Sequence, residues 1–357
     1  MKAKYAMVVD WVKEQITTNN LKKGDKFYNE GELASMFDIS RQTVRHAVGL
    51  LEAENVLERI QGKGTFVSSG LNTNGKRKTI GVVLTIIDRY IFTAIIQGIE
   101  EIIQRNGYAM HLAFSGNEID GEYNALSLII DSEVEGIILG PAKSNIYNPY
   151  SRIYDEIKEL GIPLVFLDAY HEGTDFPNVS MDDVAAGRIA TEYLIQAGHT
   201  KIAGFFISDT IQGKLRFQGY VDALLSASIK FVPKHTLWYA KEDEDEMFGD
   251  LESKRVLERL EGCSALLCFN DRLAFHMVDQ LTKAGLRVPE DISVIGIDNS
   301  DMATLCQVPL TTFAHPKEEL GKLAAENLIQ LIHDPAFDAR TLVQPTLVER
   351  NSVKRLI

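Results

Sequence analysis

Polar side chains gather just beyond the apolar runs of this chain, where a parallel sheet would present them to a ligand. Asp88 and Tyr90 follow the run 80–87, and Lys143 follows Gly136–Leu139 after a Gly-Pro step. Asp168 ends the run 163–167, Asn270 and Asp271 follow 265–269, and Asp298 and Asn299 follow 293–297. Arg216 falls in a helical stretch whose entry loop carries Asp209 and Gln212. Carboxylates, amides and an arginine that converge with an aromatic face suit a hydroxyl-rich ligand, because they make paired hydrogen bonds to neighbouring hydroxyls. Any one of these strand-end aspartates could equally be a helix N-cap. Of the dispersed histidines, His199 reads as structural, whereas His315 could line a cleft.

A second set lies near the start of the chain. Ser40 is a suitable N-cap, and Arg41, Gln42, Thr43 and Arg45 follow it on the exposed side of a helix whose Val44, Ala47, Val48 and Leu51 turn inward. Arginine can fork onto guanine and glutamine onto adenine, and recognition helices meet bases with their N-terminal residues. Downstream, 57–60 and 65–67 alternate as strands around Gly62, Lys63, Gly64 and Thr65. The glycines allow positive φ at the tip, and Lys63 projects toward a phosphate or the minor groove. An ordinary solvated helix and a plain hairpin are the bland alternatives.

The elements that would position these groups follow from periodicity. Tyr5, Val8, Val9, Val12 and Ile16 share a helical face, Gly24-Asp25 marks a turn, and Asn29 or Glu30 opens a second helix with Leu33, Ala34 and Phe37 inward. From residue 79 strands and helices alternate. Strands are expected at 80–87, Ala109–Phe114, Gly136–Leu139, 163–167, Ile202–Ile207, 265–269 and 293–297. Helices are expected at about 92–104, 120–131, 150–160, 182–197, 213–227, 248–260, 271–284 and 316–333. Such alternation with buried apolar strands implies parallel sheets in an α/β body. That body is too long for one sheet, so two lobes are expected, with ligands beyond the carboxyl ends of the strands. The expected division is a head at 1–68, a polar linker at 69–78 and a body at 79–357.

Composition narrows the function classes. The 357 residues are 45% apolar, enough for buried cores, and no apolar run is long enough to cross a bilayer. The N-terminus lacks the apolar stretch and cleavage site of a signal peptide, which predicts a cytoplasmic protein. Three cysteines, Cys263, Cys268 and Cys306, read as reduced core residues and form no zinc set. The net charge is −13, but residues 1–70 hold ten Lys and Arg against nine Asp and Glu, while the remainder holds 27 against 41. The acidity therefore lies outside the reading head and can discourage non-specific contact with nucleic acid. There is no Gly-rich phosphate loop, no Gly-x-Ser-x-Gly elbow and no metal-spaced His/Cys cluster, so binding is favoured over turnover and neither cofactor nor metal is expected.

Residues 1–68 resemble the GntR DNA-binding domain through Gly24-Asp25, Glu30-Gly31-Glu32-Leu33-Ala34, Ser40-Arg41-Gln42-Thr43-Val44-Arg45-His46-Ala47 and Gln61-Gly62-Lys63-Gly64-Thr65-Phe66-Val67. Tyr28-Asn29-Glu30 stands where that family usually has Pro-Ser-Glu. The resemblance implies a winged helix-turn-helix (α+β) that binds operator DNA as a dimer through Arg41, Gln42, Thr43, Arg45 and the wing tip. From about 79 to 350 the chain resembles the LacI/GalR effector domain. The matching segments include Val179-Ser180-Met181-Asp182, Gly198-His199-Thr200-Lys201-Ile202, Arg216-Phe217-Gln218-Gly219-Tyr220, Phe269-Asn270-Asp271 and Val288-Pro289-Glu290-Asp291-Ile292. This implies the two-lobed periplasmic-binding-protein-like fold with three crossovers, and an effector held by Arg216 and Asp271. A GntR-type head on a LacI-type body resembles the arabinose repressors of Gram-positive bacteria, supported by Pro141-Ala142-Lys143-Ser144, Asp209-Thr210-Ile211-Gln212-Gly213 and His315-Pro316-Lys317. The resemblance implies a repressor released by a monosaccharide, L-arabinose first among them. Another pentose or hexose, or activation by sugar, remains open. The expected effector set is Tyr90, Lys143, Asp168, Gln212, Arg216, Asn270, Asp271, Asp298 and His315.

Overall fold

The computed structural model describes residues 4–18, 21, 24–53, 56–60, 63–68, 78–86, 91–244 and 255–356. These form two compact units. One comprises Met1–Thr79 with Ile103–Ala109, the other Ile80–Ile102 with Met110–Ile357.

In the first unit α1 (Lys4–Thr18), α2 (Glu30–Phe37) and α3 (Arg41–Ala53) enclose a core of Val8, Val12, Leu33, Val44, Ala47 and Leu51. Asn29 caps α2 through a capping box with Glu32, and Asp38 ends it at φ 50°. The Ser40 hydroxyl accepts the Thr43 N–H at 3.2 Å, so α3 begins where the sequence places it. Strands β2 (Leu57–Ile60) and β3 (Gly64–Val67) form the antiparallel hairpin. A strand not expected from the sequence, β1 (Lys26–Phe27), adds a third member beside β3; two residues carry no periodicity.

The α/β body, which makes up the second unit and whose Thr79 and Ile103–Ala109 cluster with the first unit, has two lobes. The first is built on β4 (Thr79–Leu84), β5 (Ala109–Phe114), β6 (Gly136–Leu139), β7 (Leu164–Leu167) and β8 (Asn178–Met181), with α4 (Phe92–Arg105), α5 (Ile119–Asp131) and α6 (Arg152–Glu159). The second is built on β9 (Ile202–Ile207), β10 (Thr236–Tyr239), β11 (Ala265–Cys268) and β12 (Ser293–Ile295), with α7 (Asp183–Gln196), α8 (Ile211–Ser226) and α9 (Asp271–Lys283). After the short α10 (Asp301–Leu305) and β13 (Thr312–Ala314), α11 (Lys317–His333) returns to pack on β6, β7 and β8. Strand β14 (Thr341–Val343) then joins the first sheet beside β8, and β15 (Thr346–Val348) pairs with β13. The chain thus passes between the lobes after β8, after β13 and after β14.

The strand orders are β14-β8-β7-β6-β4-β5 and β10-β9-β11-β12. Fully buried four-residue strands such as Gly136–Leu139 and Ala265–Cys268 explain the parallel pairing, since both faces are covered. Each order reverses direction once, between β4 and β6 and between β9 and β11. The crevices at those two points are where an open α/β sheet binds ligands. The first sheet packs Val83, Ile137, Leu139 and Phe166 against α5 and α6. The second buries Ala203, Phe205 and Leu266 on one face and Phe206, Leu267 and Ile295 on the other.

Several expected boundaries shift. The first body strand ends at Leu84 instead of 87, and the strand expected at 293–297 ends at Ile295. The expected helix 248–260 is helical over 255–258, and 245–254 lie outside the described residues. The strands β8, β10, β13, β14 and β15 and helix α10 have three to five residues each and are not expected from the sequence. Elements this short fall below the length at which alternation is detectable, and tertiary pairing defines them.

Candidate functional site

Helices α7 and α8 approach closely because glycines face backbone. A Cβ on Gly187 would lie 2.0 Å from the Arg216 carbonyl, and one on Gly219 would lie 2.1 Å from that of Val184. This contact sets Arg216 beside Asp183, the first residue of α7. Arg216 Nε donates to Asp183 Oδ1 at 2.7 Å, Nη1 donates to the Phe269 carbonyl at 2.5 Å, and Nη2 lies 3.7 Å from Asp298 Oδ1. The guanidinium carbon stands 4.5 Å from the Phe269 ring centroid. Arg216 is 3% exposed, so breaking either side of this pair would leave an uncompensated buried charge. Burial pushes the Asp183 carboxyl up to about 6, against the pull of Arg216.

Asp168 lies opposite, just past β7, at φ 67°. Its Oδ1 meets His315 Nε2 at 2.8 Å and its Oδ2 accepts from Gln212 Nε2 at 3.0 Å, so one carboxylate joins the first lobe, a crossover and α8. Burial alone would raise its pKa, but His315, Arg216 and Gln212 together outweigh that and hold it below the usual range. Burial likewise lowers His315, and the Asp168 and Asp298 carboxylates together more than reverse it.

These groups surround a cavity of about 340 Å³ lined by the switch-point loops of both sheets: Thr85, Ile86 and Gly140 from the first lobe, Ile207, Thr210 and Asn270 from the second. Asp168, Gln212, Arg216, Asn270, Asp298 and His315 all line it, so the structure brings together six of the nine expected effector residues. Tyr90 lies outside the described residues. Lys143 is not on the wall. Its ammonium pairs with Glu118 at 2.8 Å and Glu242 at 2.6 Å, and these two carboxylates are lining residues. Asp271 sits behind the wall, fully buried, with Oδ2 accepting from the Ser300 N–H at 2.7 Å and Oδ1 from the Thr312 hydroxyl at 2.5 Å. Burial, then the Asp298 charge, raise its carboxyl to about 7. Asn270 both faces the cavity and caps α9 by accepting the Leu273 N–H at 2.9 Å. His199 bridges Ser264 Oγ and the Lys354 carbonyl away from the cavity.

Sequence spacing does not point to Phe92, Glu118, Thr210, Lys241, Glu242 or Glu244, which also line the cavity. Glu244 is 2% exposed and paired with Lys241 and Arg272. Two buried polar atoms of the lining, Thr210 Oγ1 and His315 Nδ1, have no hydrogen-bond partner among the described residues. An unmet buried donor or acceptor costs about 1–3 kcal/mol, which a hydroxylated ligand would offset. The wall offers Glu118, Asp168, Glu242, Glu244 and Asp298 against Arg216, Lys241 and His315. Each of those three cations is already held by a carboxylate.

In the head, Arg41, Gln42 and Arg45 are exposed at the start of α3 and Thr43 is half-buried. Arg45 pairs with Glu30 at 3.1 Å, and Arg59 on β2 reaches the same carboxylate at 2.8 Å. These contacts tie the recognition-helix candidate to the hairpin through Glu30 and Arg59, neither of which is in the expected DNA-binding set. At the wing tip Lys63 is exposed and Gly64 adopts φ 118°. Thr65 is 5% exposed, which turns that expected contact inward, and Gly62 lies outside the described residues. Cys268 and Cys306 are buried and unbonded, and burial raises the half-buried Cys263 thiol to about 11. No helix among the described residues is long and apolar enough to cross a membrane.

Comparison with known proteins fits this geometry. The gntR family of bacterial regulatory proteins matches residues 4–67, and the periplasmic binding protein-like domain matches residues 191–353. The arabinose metabolism transcriptional repressor of Geobacillus stearothermophilus is 37% identical, over 99% of this chain and 98% of its own length. The chain belongs to that repressor family. A second member, the arabinose metabolism transcriptional repressor of Halalkalibacterium halodurans, is 33% identical over 99% of this chain and 97% of its own. Among solved structures, the transcription regulator CcpA of Lactococcus lactis is 26% identical, covers 78% of this chain and all of its own, and superposes with a TM-score of 0.69. As a member of the family the chain is a transcriptional repressor and not an enzyme.

Proposed function

We propose that the protein binds operator DNA as a dimer in the cytoplasm, through Arg41, Gln42, Thr43, Arg45 and the wing tip at Lys63, and releases it when the body cavity takes up L-arabinose. One observation carries the sugar reading: a mixed wall of carboxylates, amides and the Arg216–Phe269 stack, with Thr210 and His315 each offering an unsatisfied buried polar atom. The names of the full-length relatives support arabinose among the sugars. The wall also favours a neutral sugar over a sugar phosphate, because among the described residues it holds an excess of carboxylates and no unengaged cation. All of the expected linker 69–78 except Lys78 lies outside the described residues. Release requires the sugar to distinguish two states by a coupling of about 1–3 kcal/mol.

The test is a gel-shift titration on the promoter region of the gene itself, with calorimetry alongside. A retarded fragment that L-arabinose frees, with a binding isotherm for the free sugar and none for its phosphate ester, is expected. A retarded fragment unaffected by a sugar that gives no heat would refute arabinose. No retarded fragment at all would refute the operator assignment.

A further inference from the structure

The loop that follows β6 spans the two lobes beside the cavity. Lys143 Nζ, on the first lobe, reaches Glu242 Oε1 of the second at 2.6 Å as well as its neighbour Glu118 at 2.8 Å. The next residue, Ser144, accepts the Ile211 N–H on its hydroxyl at 2.9 Å. Asn145 donates from its backbone to the Asp209 carbonyl at 3.1 Å and from its side chain to the Ser208 carbonyl at 2.9 Å. Three successive residues thus bind the second lobe. Both ends of the segment are pinned to the first lobe by one carboxylate. Glu122, 1% exposed on α5, accepts the Ala142 N–H at 2.6 Å and the Asn148 amide at 3.4 Å, and is itself held by the Tyr154 hydroxyl at 2.5 Å and His171 Nε2 at 3.2 Å. Lys143 also adopts φ 42°, a left-handed conformation that a lysine keeps only when its surroundings fix it.

We infer that residues 142–148 form a strap that holds the lobes shut over the sugar, with Lys143 as a positioning residue that latches onto Glu242 and makes no contact with the ligand. The inference rests on the sugar reading above. It replaces the direct contact expected of Lys143 with an electrostatic closure. Because the ligand is neutral, its own contacts are nearly indifferent to ionic strength, whereas a part-exposed ion pair is screened by salt. The latch therefore gives a neutral sugar a salt-dependent affinity.

Calorimetry of the full chain with L-arabinose at 50 and 500 mM NaCl tests it. For the unaltered protein the dissociation constant is expected to rise about threefold across that range. Lys143→Met and Glu242→Gln should each weaken binding about threefold at low salt and abolish the salt dependence. The double variant should be no weaker than either single one, because both remove the same pair. Lys143→Arg should restore affinity and salt dependence together. Fully additive losses would mean that Lys143 and Glu242 act separately on the sugar, and an unchanged salt dependence in Lys143→Met would mean no latch; either overturns the strap. If the unaltered protein binds no sugar at any salt, it is the sugar reading that fails.

Discussion

At the scale of single residues, Asp271 shows how burial redirects a group. The family resemblance makes it an effector ligand, yet its carboxylate is spent on Ser300 and Thr312, and the neighbouring Asn270 faces the cavity. Its folded pKa of about 7 lies above the ordinary 3.8, so the folded state binds the extra proton. That contribution to stability is fully present below about pH 4 and is lost as pH rises through about 7, at no more than roughly 1.4 kcal/mol per pH unit. Asp271→Asn keeps an acceptor for Ser300 and removes the ionisation. Thermal melts from pH 4 to 8 should show the variant gaining several °C over the parent at pH 8 and little at pH 4. A constant gap across that range would contradict it. Asp168 and Asp298 were legible because strand ends followed by polar residues are visible in sequence. Which of two adjacent residues, Asn270 or Asp271, faces inward depends on the phase of a helix start, which no spacing reveals. The N-cap alternative raised for the strand-end aspartates falls on Asn270, which caps α9 and also lines the cavity.

At the scale of elements, the α7–α8 contact positions the buried Arg216. Gly187→Ala forces a methyl into the Arg216 carbonyl and should destabilise the body by about 1–3 kcal/mol or more, while weakening sugar binding through the displaced guanidinium. Gly49, inside α3, is the opposite case, because a methyl there would meet nothing within 4 Å. Gly49→Ala should stabilise the head by about 0.5–1 kcal/mol. Chemical denaturation with sugar titration checks both, and a neutral Gly187→Ala would remove the packing argument. The longer strands and helices could be read from the sequence because a buried parallel strand is an uninterrupted apolar run, as in Ile202–Ile207. The crossover strands β8, β13, β14 and β15 could not, since residues such as Thr341–Val343 pair only once distant segments have met. The pairing role of Glu30 escaped notice for a related reason: it depends on Arg45 and Arg59, fifteen and twenty-nine positions away, which only the folded head brings to one carboxylate.

At the scale of the whole molecule, the separation into two compact units predicts two melting transitions. Sugar at about 100 times its dissociation constant should raise the body transition by the equivalent of about 2.7 kcal/mol and leave the head transition in place. Differential scanning calorimetry with and without L-arabinose measures this, and a single transition moving as one would show that head and body melt together. The charge division visible in the sequence belongs at this scale, with a nearly neutral reading head on a strongly acidic body. The cavity adds a consequence of its own. Because the cations among its described lining residues are already committed to carboxylates, the proposed site is expected to shut out a phosphorylated sugar. On the proposed reading the gene switch answers to free carbohydrate alone, and any reaction that attaches a charged group to that carbohydrate silences the signal.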